Sequence, residues 1–467
     1  MKFKFDNGPH MKNEDNTNKM MLRVLIALIP IVCFTIFKNV FVVYNTTDAK
    51  ILELIHPILI IISSILTSLL SEYLYIRFIK KDKISFKNLS KSFAIIPGLL
   101  LALCLPLNTP IHIVVFGSFC ATIIGKMIFN PALIGYLLIS ASYSSKLGNY
   151  LNLYELDTIG GSTPLTNLAN LNYYGSYDTI VGKYGSLLNF FTGTIPGGLG
   201  EVSKVLILIA FIYLVLTKTI KWRIPVTYVG TVFFMTLIIG NATNYGLWYP
   251  TFHILSGGLL FGAVFMATDP VTSPITKVGQ LLYGICLGIL TVLLRFLTPY
   301  PEGVMTSILF MNMFTTLFDK IGLKVKYNFE KIFIPIAILI FILLMSVIKI
   351  SSNVRNTFKE GNKELENVKI LDTKKENNQT KYTISSKGWG LIKAEVIVED
   401  KNIKSIVIID SSGETQWSEI ENANYIYKII SNQNDIDNLD AVSGSTKTSN
   451  GLKNIVKKVN EEIKNEK

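Results

Sequence analysis

Residues 280–297 read QLLYGICLGILTVLLRFL, an apolar run interrupted by a single charge, that of Arg295. A helix that crosses a bilayer needs roughly 17 to 25 such residues. Hydrophobic residues make up 49% of the chain and charged residues 17%, too few charges to cover a soluble globule of this composition. Comparable runs predict about eleven spans. They lie at residues 22–37, 54–76, 93–107, 111–129, 131–143, 205–217, 224–239, 252–267, 280–297, 304–318 and 332–350.

Basic residues predict the orientation of the chain in the membrane. The net charge of +12 comes with lysines and arginines clustered beside apolar runs, which is typical of cytoplasmic loops rather than of a nucleic-acid surface. The clusters occupy the N-terminal tail and residues 77–91, 218–223 and 320–331, and the predicted spans place all of them on one side. We therefore expect a cytoplasmic N-terminus. Residues 144–204 and the chain after residue 351 should then be extracytoplasmic.

Cysteine and histidine usage argues against a metal centre. The four cysteines lie in apolar runs without CxxC spacing, which favours buried small side chains over zinc ligands or disulfides. The four histidines are scattered, and we treat them as non-ligands. The first apolar run begins near Leu22 with no cleavage pattern behind it, so it is predicted to be an uncleaved span.

The C-terminal part differs in kind from the apolar runs. Residues 353–380, rich in Lys, Glu and Asn, are predicted to form a linker. Residues 392–399 and 403–409, rich in Val and Ile, predict a β-hairpin, and apolar residues from Leu452 to Ile463 at helical spacing predict a terminal helix. The predicted fold class is mainly α. It comprises a polytopic bundle of about 10 spans plus one anchoring span, and a small extracytoplasmic α+β domain.

Two matching motifs end in a threonine. Asp157-Thr-Ile-Gly-Gly-Ser-Thr163 and Asp440-Ala-Val-Ser-Gly-Ser-Thr446 share the pattern Asp-x-x-(Gly/Ser)-Gly-Ser-Thr. Glycine lets the backbone approach a phosphate, and a threonine hydroxyl can become a phosphoester. Pro164 suits a first helical position and one of residues 448–450 could cap the terminal helix, so each phosphate would lie near a helix N-terminus. The alternative is an ordinary Ser/Gly/Thr turn before a helix, which the repetition makes a poor explanation.

Motifs along the whole chain resemble those of a known family. They include Phe129-Asn-Pro-Ala132, Gly161-Ser-Thr-Pro-Leu165, Gly197-Gly-Leu-Gly-Glu201, Ala267-Thr-Asp-Pro-Val-Thr-Ser-Pro274, Tyr300-Pro-Glu-Gly303 and Ser443-Gly-Ser-Thr-Lys-Thr-Ser-Asn-Gly451. Residues 1–325 resemble the D subunit of Rnf electron-transport complexes, related to the B subunit of the sodium-translocating NADH:quinone reductase. The remainder resembles the FMN-binding G subunit, so that 326–352 would be the anchoring helix, 353–380 a linker and 381–467 the FMN-binding domain.

The resemblance implies a cofactor and a function. In the family, the threonine of each motif bears FMN through a phosphoester that a separate flavin transferase installs. The chain would then be a membrane subunit of an Na⁺- or H⁺-translocating ferredoxin:NAD oxidoreductase complex, with the other Rnf-type subunits as partners and a further non-covalent flavin left open. The residues assigned to covalent FMN are Asp157, Gly161, Ser162, Thr163, Asp440, Ser443, Gly444, Ser445 and Thr446. No side chain is expected to be catalytic, because the isoalloxazine ring carries the electrons.

The chain departs from the family pattern in three places. The glycine-rich insertion before Asn-Pro-Ala is shortened to Gly125-Lys-Met-Ile-Phe129, and serine replaces alanine before each threonine. Glu414-Thr415 is followed by Gln-Trp417 instead of Pro-Gly. Trp417 either stacks on the flavin or is a core or solvent-facing side chain.

Charged groups within or beside the spans are candidates for ion or flavin contact, because such groups are costly in a membrane. They are Asp269, Glu72, Lys126 and Glu302, together with Arg295 and Asp319. The alternative for each is a helix-capping or interfacial role. Asp269 is the preferred candidate, because hydroxyl groups and two prolines within residues 268–274 suggest a broken helix that lines a site.

Two rival functions fit the same span pattern. A transporter or channel without a redox role predicts no covalent flavin. An extracytoplasmic electron-transfer flavoprotein without ion pumping keeps the flavins but not the coupling. The chain has no nucleotide-binding fingerprint and no iron–sulfur cysteine set, so it would be a relay and not a complete enzyme by itself.

Overall fold

The computed structural model describes residues 16–42, 51–79, 81, 92–125, 130–143, 147, 163–171, 173, 175–201, 203–241, 245–298, 302–327, 338, 341–342, 345–352, 354, 368–376, 379–387, 391–399, 402–411, 417–433, 435–436, 439–442 and 445–465. These residues belong to two compact units, Met1–Val354 and Arg355–Lys467, each described by itself.

The first unit is built from helices. They are α1 (Thr17–Ile36), α2 (Ile51–Leu74), α3 (Ile95–Cys104), α4 (Ile111–Cys120), α5 (Pro131–Ser142), α6 (Pro164–Asn170), α7 (Tyr177–Ile180), α8 (Leu187–Thr192), α9 (Lys204–Leu216), α10 (Arg223–Asn241), α11 (Trp248–Leu255), α12 (Leu259–Phe261), α13 (Lys277–Leu297), α14 (Val304–Asn312) and α15 (Thr315–Tyr327). π-Helical turns follow four of them, at Phe37–Val42, Tyr75–Ile79, Ala121–Gly125 and Gly262–Met266.

Several helices have the length and composition of membrane spans. Within the described part of the chain there are four, Thr17–Val40, Ile55–Ile79, Arg223–Asn241 and Lys277–Leu297, and a bent pair adds a fifth. Each predicted run from 22–37 to 304–318 overlaps a helix, whereas about half of the run 332–350 lies outside the described residues. The mainly helical fold with several apolar helices is thus confirmed. The count of about eleven spans and their sidedness stay predictions.

Helix α13 lies at the centre of this unit. In its most apolar window 56% of the residues are buried inside the protein, against 22% for the span that contains α1. Glycines let α13 approach α10 closely, since a Cβ added at Gly288 would lie 2.5 Å from Cβ of Thr231. In a bilayer the hydrophobic effect does not drive helices together, so helices associate by close packing, which small residues at the crossing permit.

A sharp break separates α11 from the next helical segment. The axes of Trp248–Leu255 and Leu259–Met266 differ by 63°. Gly257, at the break, has φ of +63°, a left-handed conformation that favours glycine. The bend releases backbone carbonyls from helical hydrogen bonding, and in a membrane protein other groups must satisfy them. This break positions the candidate site.

The second unit is a four-stranded antiparallel sheet covered by a helix. The strands, in the order β1-β2-β3-β4, are Lys369–Glu376, Gln379–Lys387, Leu391–Glu399 and Asn402–Asp410. Alternate residues of β3 are buried, and the terminal helix α18 (Thr446–Asn465) packs Leu452, Ile455, Val456 and Val459 into the same core. Two short helices, α16 (Trp417–Asn422) and α17 (Tyr425–Ser431), complete the unit. The predicted β-hairpin is confirmed as β3 paired with β4.

The structure differs from the sequence prediction at β1. This strand lies inside residues 353–380, the stretch predicted to be a linker. Its sequence, KILDTKKE, is charged because β1 is an edge strand whose exposed side chains face solvent. The high charge of this stretch therefore led to the prediction of a linker, although backbone pairing with β2 stabilises it as a strand.

Candidate functional site

Thr163 lies directly before helix α6 and is buried, with 2% of its surface exposed. Its hydroxyl oxygen accepts a hydrogen bond from the backbone N–H of Thr166 at 3.2 Å and lies 2.8 Å from the Thr166 hydroxyl. The same hydroxyl is hydrogen-bonded to the Glu302 carboxylate. Pro164 occupies the first helical turn as predicted. Thr163 is therefore an N-cap whose hydroxyl is already held in one orientation.

Side-chain packing fixes α6 against the broken helix. Leu165 and Leu168 are buried, and Cδ1 of Leu165 lies so close to Gly257 that an added Cβ there would be 2.8 Å away. Just after α6, the Tyr173 hydroxyl donates to the backbone carbonyl of Arg295. The chain around Thr163 is thus tied to both α11 and α13.

Glu302 belongs to a group of electrostatically linked charges, and we call this group the charged cluster. It consists of Lys38, Glu201, Lys204, Arg295 and Glu302; the first four are each at most 7% exposed, and Glu302 is partly buried. The charge of Glu302 interacts with those of Arg295, Lys204 and Glu201. Lys38 interacts with Lys204. Charges this deep require partners, because desolvation is costly.

Backbone carbonyls of irregular segments satisfy the lysines. Lys204 Nζ donates to the Gly257 carbonyl at 2.7 Å and also to the Glu201 carbonyl. Lys38 Nζ donates to the Ile195 carbonyl at 2.7 Å. The carbonyl that Gly257 presents at the break thus becomes an acceptor for a buried ammonium group.

The Glu201 carboxylate fits against glycines. A Cβ at Gly258 would lie 2.5 Å from Glu201 Oε1, and one at Gly198 would lie 3.1 Å from Oε2. Glu201 is also hydrogen-bonded to Cys104. The two glycine positions therefore make room for a carboxylate.

Arg295 is completely buried but incompletely hydrogen-bonded. Its NH1 group donates to the His253 carbonyl at 2.7 Å, while among the described residues Nε and NH2 meet no acceptor. The side-chain polar atoms of His253 and Ser256, both fully buried, likewise have no hydrogen-bond partner in the described part of the chain. Unsatisfied buried polar atoms are rare in native proteins and call for a ligand, a water or a function.

Aromatic rings line the same region. The ring of Tyr173 lies 4.6 Å from that of Phe296, which lies 5.3 Å from the imidazole of His253. The ring of Tyr249 is 4.7 Å from His253. Through these ring contacts Tyr173, just after α6, packs against Phe296 of α13, which in turn packs against His253 of α11.

The described residues of the second motif lie directly before the terminal helix or begin it. Asp440 is exposed, and the buried Ser445 donates to Glu419 Oε2 at 3.1 Å. The Ser449 hydroxyl accepts from the Val442 N–H at 3.1 Å and donates to the Ser445 carbonyl at 2.9 Å. Helix α18 begins at Thr446, so the prediction of a cap at one of residues 448–450 is wrong. Ser449, inside the helix, instead holds Val442 and Ser445 through these two hydrogen bonds.

Two aromatic residues belong to the short helices of the second unit, and one of them, Tyr425, interacts with Ser449 and Asp440. Burial raises the pKa of Tyr425 to about 12, and the nearby negative charge of Asp440 adds to the effect. Trp417 is half-buried, packs against the core of the second unit and donates from Nε1 to Glu421 Oε1 at 2.8 Å. The interpretation of Trp417 as partly a core side chain therefore has direct contacts in its favour.

The remaining predicted residues are dispersed. Asp269 lines a cavity of 230 Å³ with Asn130, and its carboxylate accepts from the Thr272 hydroxyl at 3.0 Å. Glu72 is buried in α2. The structure does not bring Asp269 or Glu72 to Thr163. Lys126, Asp157, Gly161, Ser162, Ser443 and Gly444 lie outside the described residues, as does the side chain of Thr446.

Asp319 has the capping role that the sequence left as an alternative. Its carboxylate accepts from the Ile275 and Thr276 backbone N–H groups at 3.0 and 2.9 Å, and from the Thr276 hydroxyl at 2.9 Å. It thereby fixes the start of α13.

Sequence reasoning missed three members of the charged cluster as site residues, Lys38, Glu201 and Lys204. Each is a single charge at the edge of an apolar run, and that position alone does not distinguish it as a site residue. The glycine-rich stretch before Glu201 was the available signal, because glycines beside an isolated carboxylate indicate close approach.

Comparison with known proteins agrees with both units. Residues 4–328 match the NQR2, RnfD, RnfE family, and residues 388–461 match the FMN-binding domain. The chain is 34% identical to the D subunit of a proton-translocating ferredoxin:NAD(+) oxidoreductase complex from Clostridium ljungdahlii, over 70% of this chain and 96% of the relative. It is 32% identical to the D subunit of the Na(+)-translocating complex from Acetobacterium woodii, over 70% and 95%.

A more distant relative covers less of each chain. The B subunit of the Na(+)-translocating NADH-quinone reductase from Klebsiella pneumoniae is 35% identical over 50% of this chain and 60% of its own length. The match of residues 4–328 spans well over half of the 467 residues. This chain therefore belongs to the NQR2, RnfD, RnfE family, with an FMN-binding domain at its C-terminus.

Proposed function

We propose that this chain is a membrane subunit of an ion-translocating ferredoxin:NAD oxidoreductase complex and relays electrons through FMN esterified to Thr163 and Thr446. The similarity to the D subunits of two such complexes and the FMN-binding match support the redox assignment. FMN supplies reversible electron transfer when it is bound. Other Rnf-type subunits would deliver and remove the electrons, and a flavin transferase would attach the FMN.

The observation that carries the Thr163 assignment is the environment of its hydroxyl. The oxygen accepts the capping hydrogen bond from Thr166 and could keep it after esterification, so attachment need not unravel α6. Two features that suit an anionic aromatic group are linked to it. The charge of Glu302, which the hydroxyl contacts, interacts with the buried cations Arg295 and Lys204. The ring of Tyr173, just after α6, lies against Phe296.

The Thr446 assignment depends on the repeated motif and on helix α18. Thr446 is the first residue of this 20-residue helix, whose first-turn N–H groups lack helical acceptors. Such a helix start favours an attached phosphate. We propose that both threonines face the extracytoplasmic side, as the distribution of basic residues predicts.

The coupling sites are a separate part of the proposal. Asp269, beside the cavity, Glu72 and Glu302 stay candidates for ion or flavin contact, and Lys126 joins them on sequence grounds alone. Ion uptake into membrane vesicles during ferredoxin-dependent NAD reduction is the measurement that assigns coupling. Loss of uptake with retained electron transfer in an Asp269→Asn variant would support a coupling role.

Peptide mass spectrometry of the chain from native membranes tests the flavin assignment. Thr163→Ala and Thr446→Ala should each remove one FMN, and the double variant should show no flavin fluorescence after denaturing electrophoresis. Thr192→Ala is the matched control, because Thr192 is exposed and forms only intrahelical hydrogen bonds. Finding both threonines unmodified in protein made with an active transferase would refute the proposal and favour a non-redox transporter.

A further inference from the structure

Arg295 presents two guanidinium nitrogens, Nε and NH2, whose N–H groups meet no acceptor in the described part of the chain. The side chain is 0% exposed, and Nε and NH2 lack acceptors among the described residues while NH1 donates to the His253 carbonyl. A buried guanidinium with unused donors is strongly disfavoured unless an anion or another acceptor meets it. Its planar fork matches the paired oxygens of a phosphate or carboxylate.

The charged cluster has an excess of positive charge. Lys38, Lys204 and Arg295 contribute three formal positive charges, and Glu201 and Glu302 contribute two negative ones. Counted as formal charges among the described residues, the cluster therefore has one more positive than negative charge. A phosphodiester carries one negative charge and would balance it.

Two indirect links connect Arg295 to Thr163, one through Glu302 and one through Tyr173. The Thr163 hydroxyl is hydrogen-bonded to Glu302, whose charge interacts with that of Arg295. Tyr173, which follows α6, donates to the Arg295 backbone carbonyl. Esterification removes the hydroxyl proton, so Thr163 no longer donates to Glu302 and a phosphate anion arrives beside that carboxylate. Repulsion between the two anions must then be offset by a nearby cation.

We propose that Arg295 binds the phosphate of the FMN attached to Thr163 through Nε and NH2, and that Lys204 provides the supporting charge. This inference rests on the proposed flavin at Thr163. It assigns Arg295, a candidate for ion or flavin contact by sequence, to the phosphate and not to the ion path. Arg295 is a binding residue and takes no part in electron transfer.

The test compares stability with and without the flavin. The full-length chain carrying Thr446→Ala, which leaves Thr163 as its acceptor, is made with and without an active flavin transferase, and the Tm of each detergent-solubilised form is measured. Flavinylation should raise the Tm, because the phosphate balances the charged cluster. Arg295→Gln should remove most of this gain, and Arg295→Lys should retain part of it, because it keeps the charge but not the fork.

Glu302→Gln supplies a prediction of opposite sign. Removing one carboxylate leaves two positive charges in excess, so flavinylation should stabilise this variant more than the parent. Arg223→Lys is the control, because the Arg223 guanidinium lies at the opposite end of α10 and α13 from this site, 3.4 Å from Gln280. It should leave the gain unchanged.

The outcomes separate the inference from the proposed function. Equal Tm losses for Arg295→Gln in the flavinylated and flavin-free forms would show a purely structural role and overturn the inference, while the flavin at Thr163 would stand. A parent protein without FMN on Thr163 would overturn both. If Arg295→Gln cannot be recovered, the other two variants decide. A rise in Tm on flavinylation equal to that of the parent in both Arg295→Lys and Glu302→Gln would also overturn the inference.

Discussion

Replacing Gly258 with alanine would test the close fit between the helix break and Glu201. The added Cβ would lie 2.5, 2.7 and 3.0 Å from Oε1, Cδ and Oε2 of Glu201, whereas ordinary contacts are 3.4–4 Å. The carboxylate would have to move by about 1 Å, away from a position that Cys104 and the surrounding charges define. Overpacking of this kind destabilises by about 1–3 kcal/mol.

The backbone itself does not oppose this substitution. Gly258 has φ of −84° and ψ of 15°, which alanine adopts readily. Any loss of stability therefore reports the clash with Glu201. Gly230→Ala is the matched control, because a Cβ at Gly230 meets nothing within 4 Å and the residue lies inside α10, where alanine should gain roughly 0.5–1 kcal/mol.

The assay is thermal unfolding of the detergent-solubilised, flavin-free chain. We expect a lower Tm for Gly258→Ala and an equal or higher Tm for Gly230→Ala, at a scale of about 2–4 °C per kcal/mol for a domain of a few hundred residues. Equal Tm values for the two variants would refute the reasoning, because the clash predicted from the 2.5 Å approach would then be absorbed without strain.

Three further predictions concern the same elements. Thr163→Ala should destabilise the flavin-free chain by about 1 kcal/mol through loss of the N-cap, whereas Thr163→Ser should not, as thermal unfolding would show. Lys204→Met should leave Glu201 without the Lys204 charge that stabilises it, and should lower the free energy of unfolding by about 3–5 kcal/mol. We expect less folded protein on gel filtration, and an unchanged yield would contradict this role of Lys204. Asp319→Ala should increase amide hydrogen exchange at Ile275 and Thr276, and unchanged exchange would show that the carboxylate does not hold the start of α13.

The apolar runs were predictable because bilayer thickness imposes a length on them. Runs such as 280–297 carry that constraint in composition alone, and the corresponding helix is Lys277–Leu297. The sequence did not predict the break at Gly257. A glycine inside an apolar run can adopt a left-handed conformation, as Gly257 does, or let two helices pack closely, as Gly288 does, and composition does not distinguish these two roles. The spacing and hydrophobicity of side chains do not show where a helix changes direction.

The candidate site was predictable in part, at Thr163 with Pro164 and at Arg295 and Glu302, charges within or beside the spans. Thr163 and Pro164 form a local signal, a capping residue followed by a first-turn proline, and α6 begins as that signal predicts. Lys204 and Glu201 reach the site through tertiary packing against a break in a different helix, and no local pattern specifies it. For the same reason β1 escaped prediction, because its stability comes from pairing with β2 rather than from its own sequence.

The helix break and the buried charges require one another. A continuous helix through residues 248–266 would engage the Gly257 carbonyl in its own ladder and leave Lys204 without that acceptor. Without Lys204 and its neighbours, the carbonyls freed by the 63° bend would lie unsatisfied in an apolar environment. Glycine at positions 257 and 258 serves both needs, since the first adopts a positive φ and the second admits the Glu201 carboxylate. The break is thus the element that allows a membrane unit to hold the charged cluster, of which Glu302 contacts the Thr163 hydroxyl.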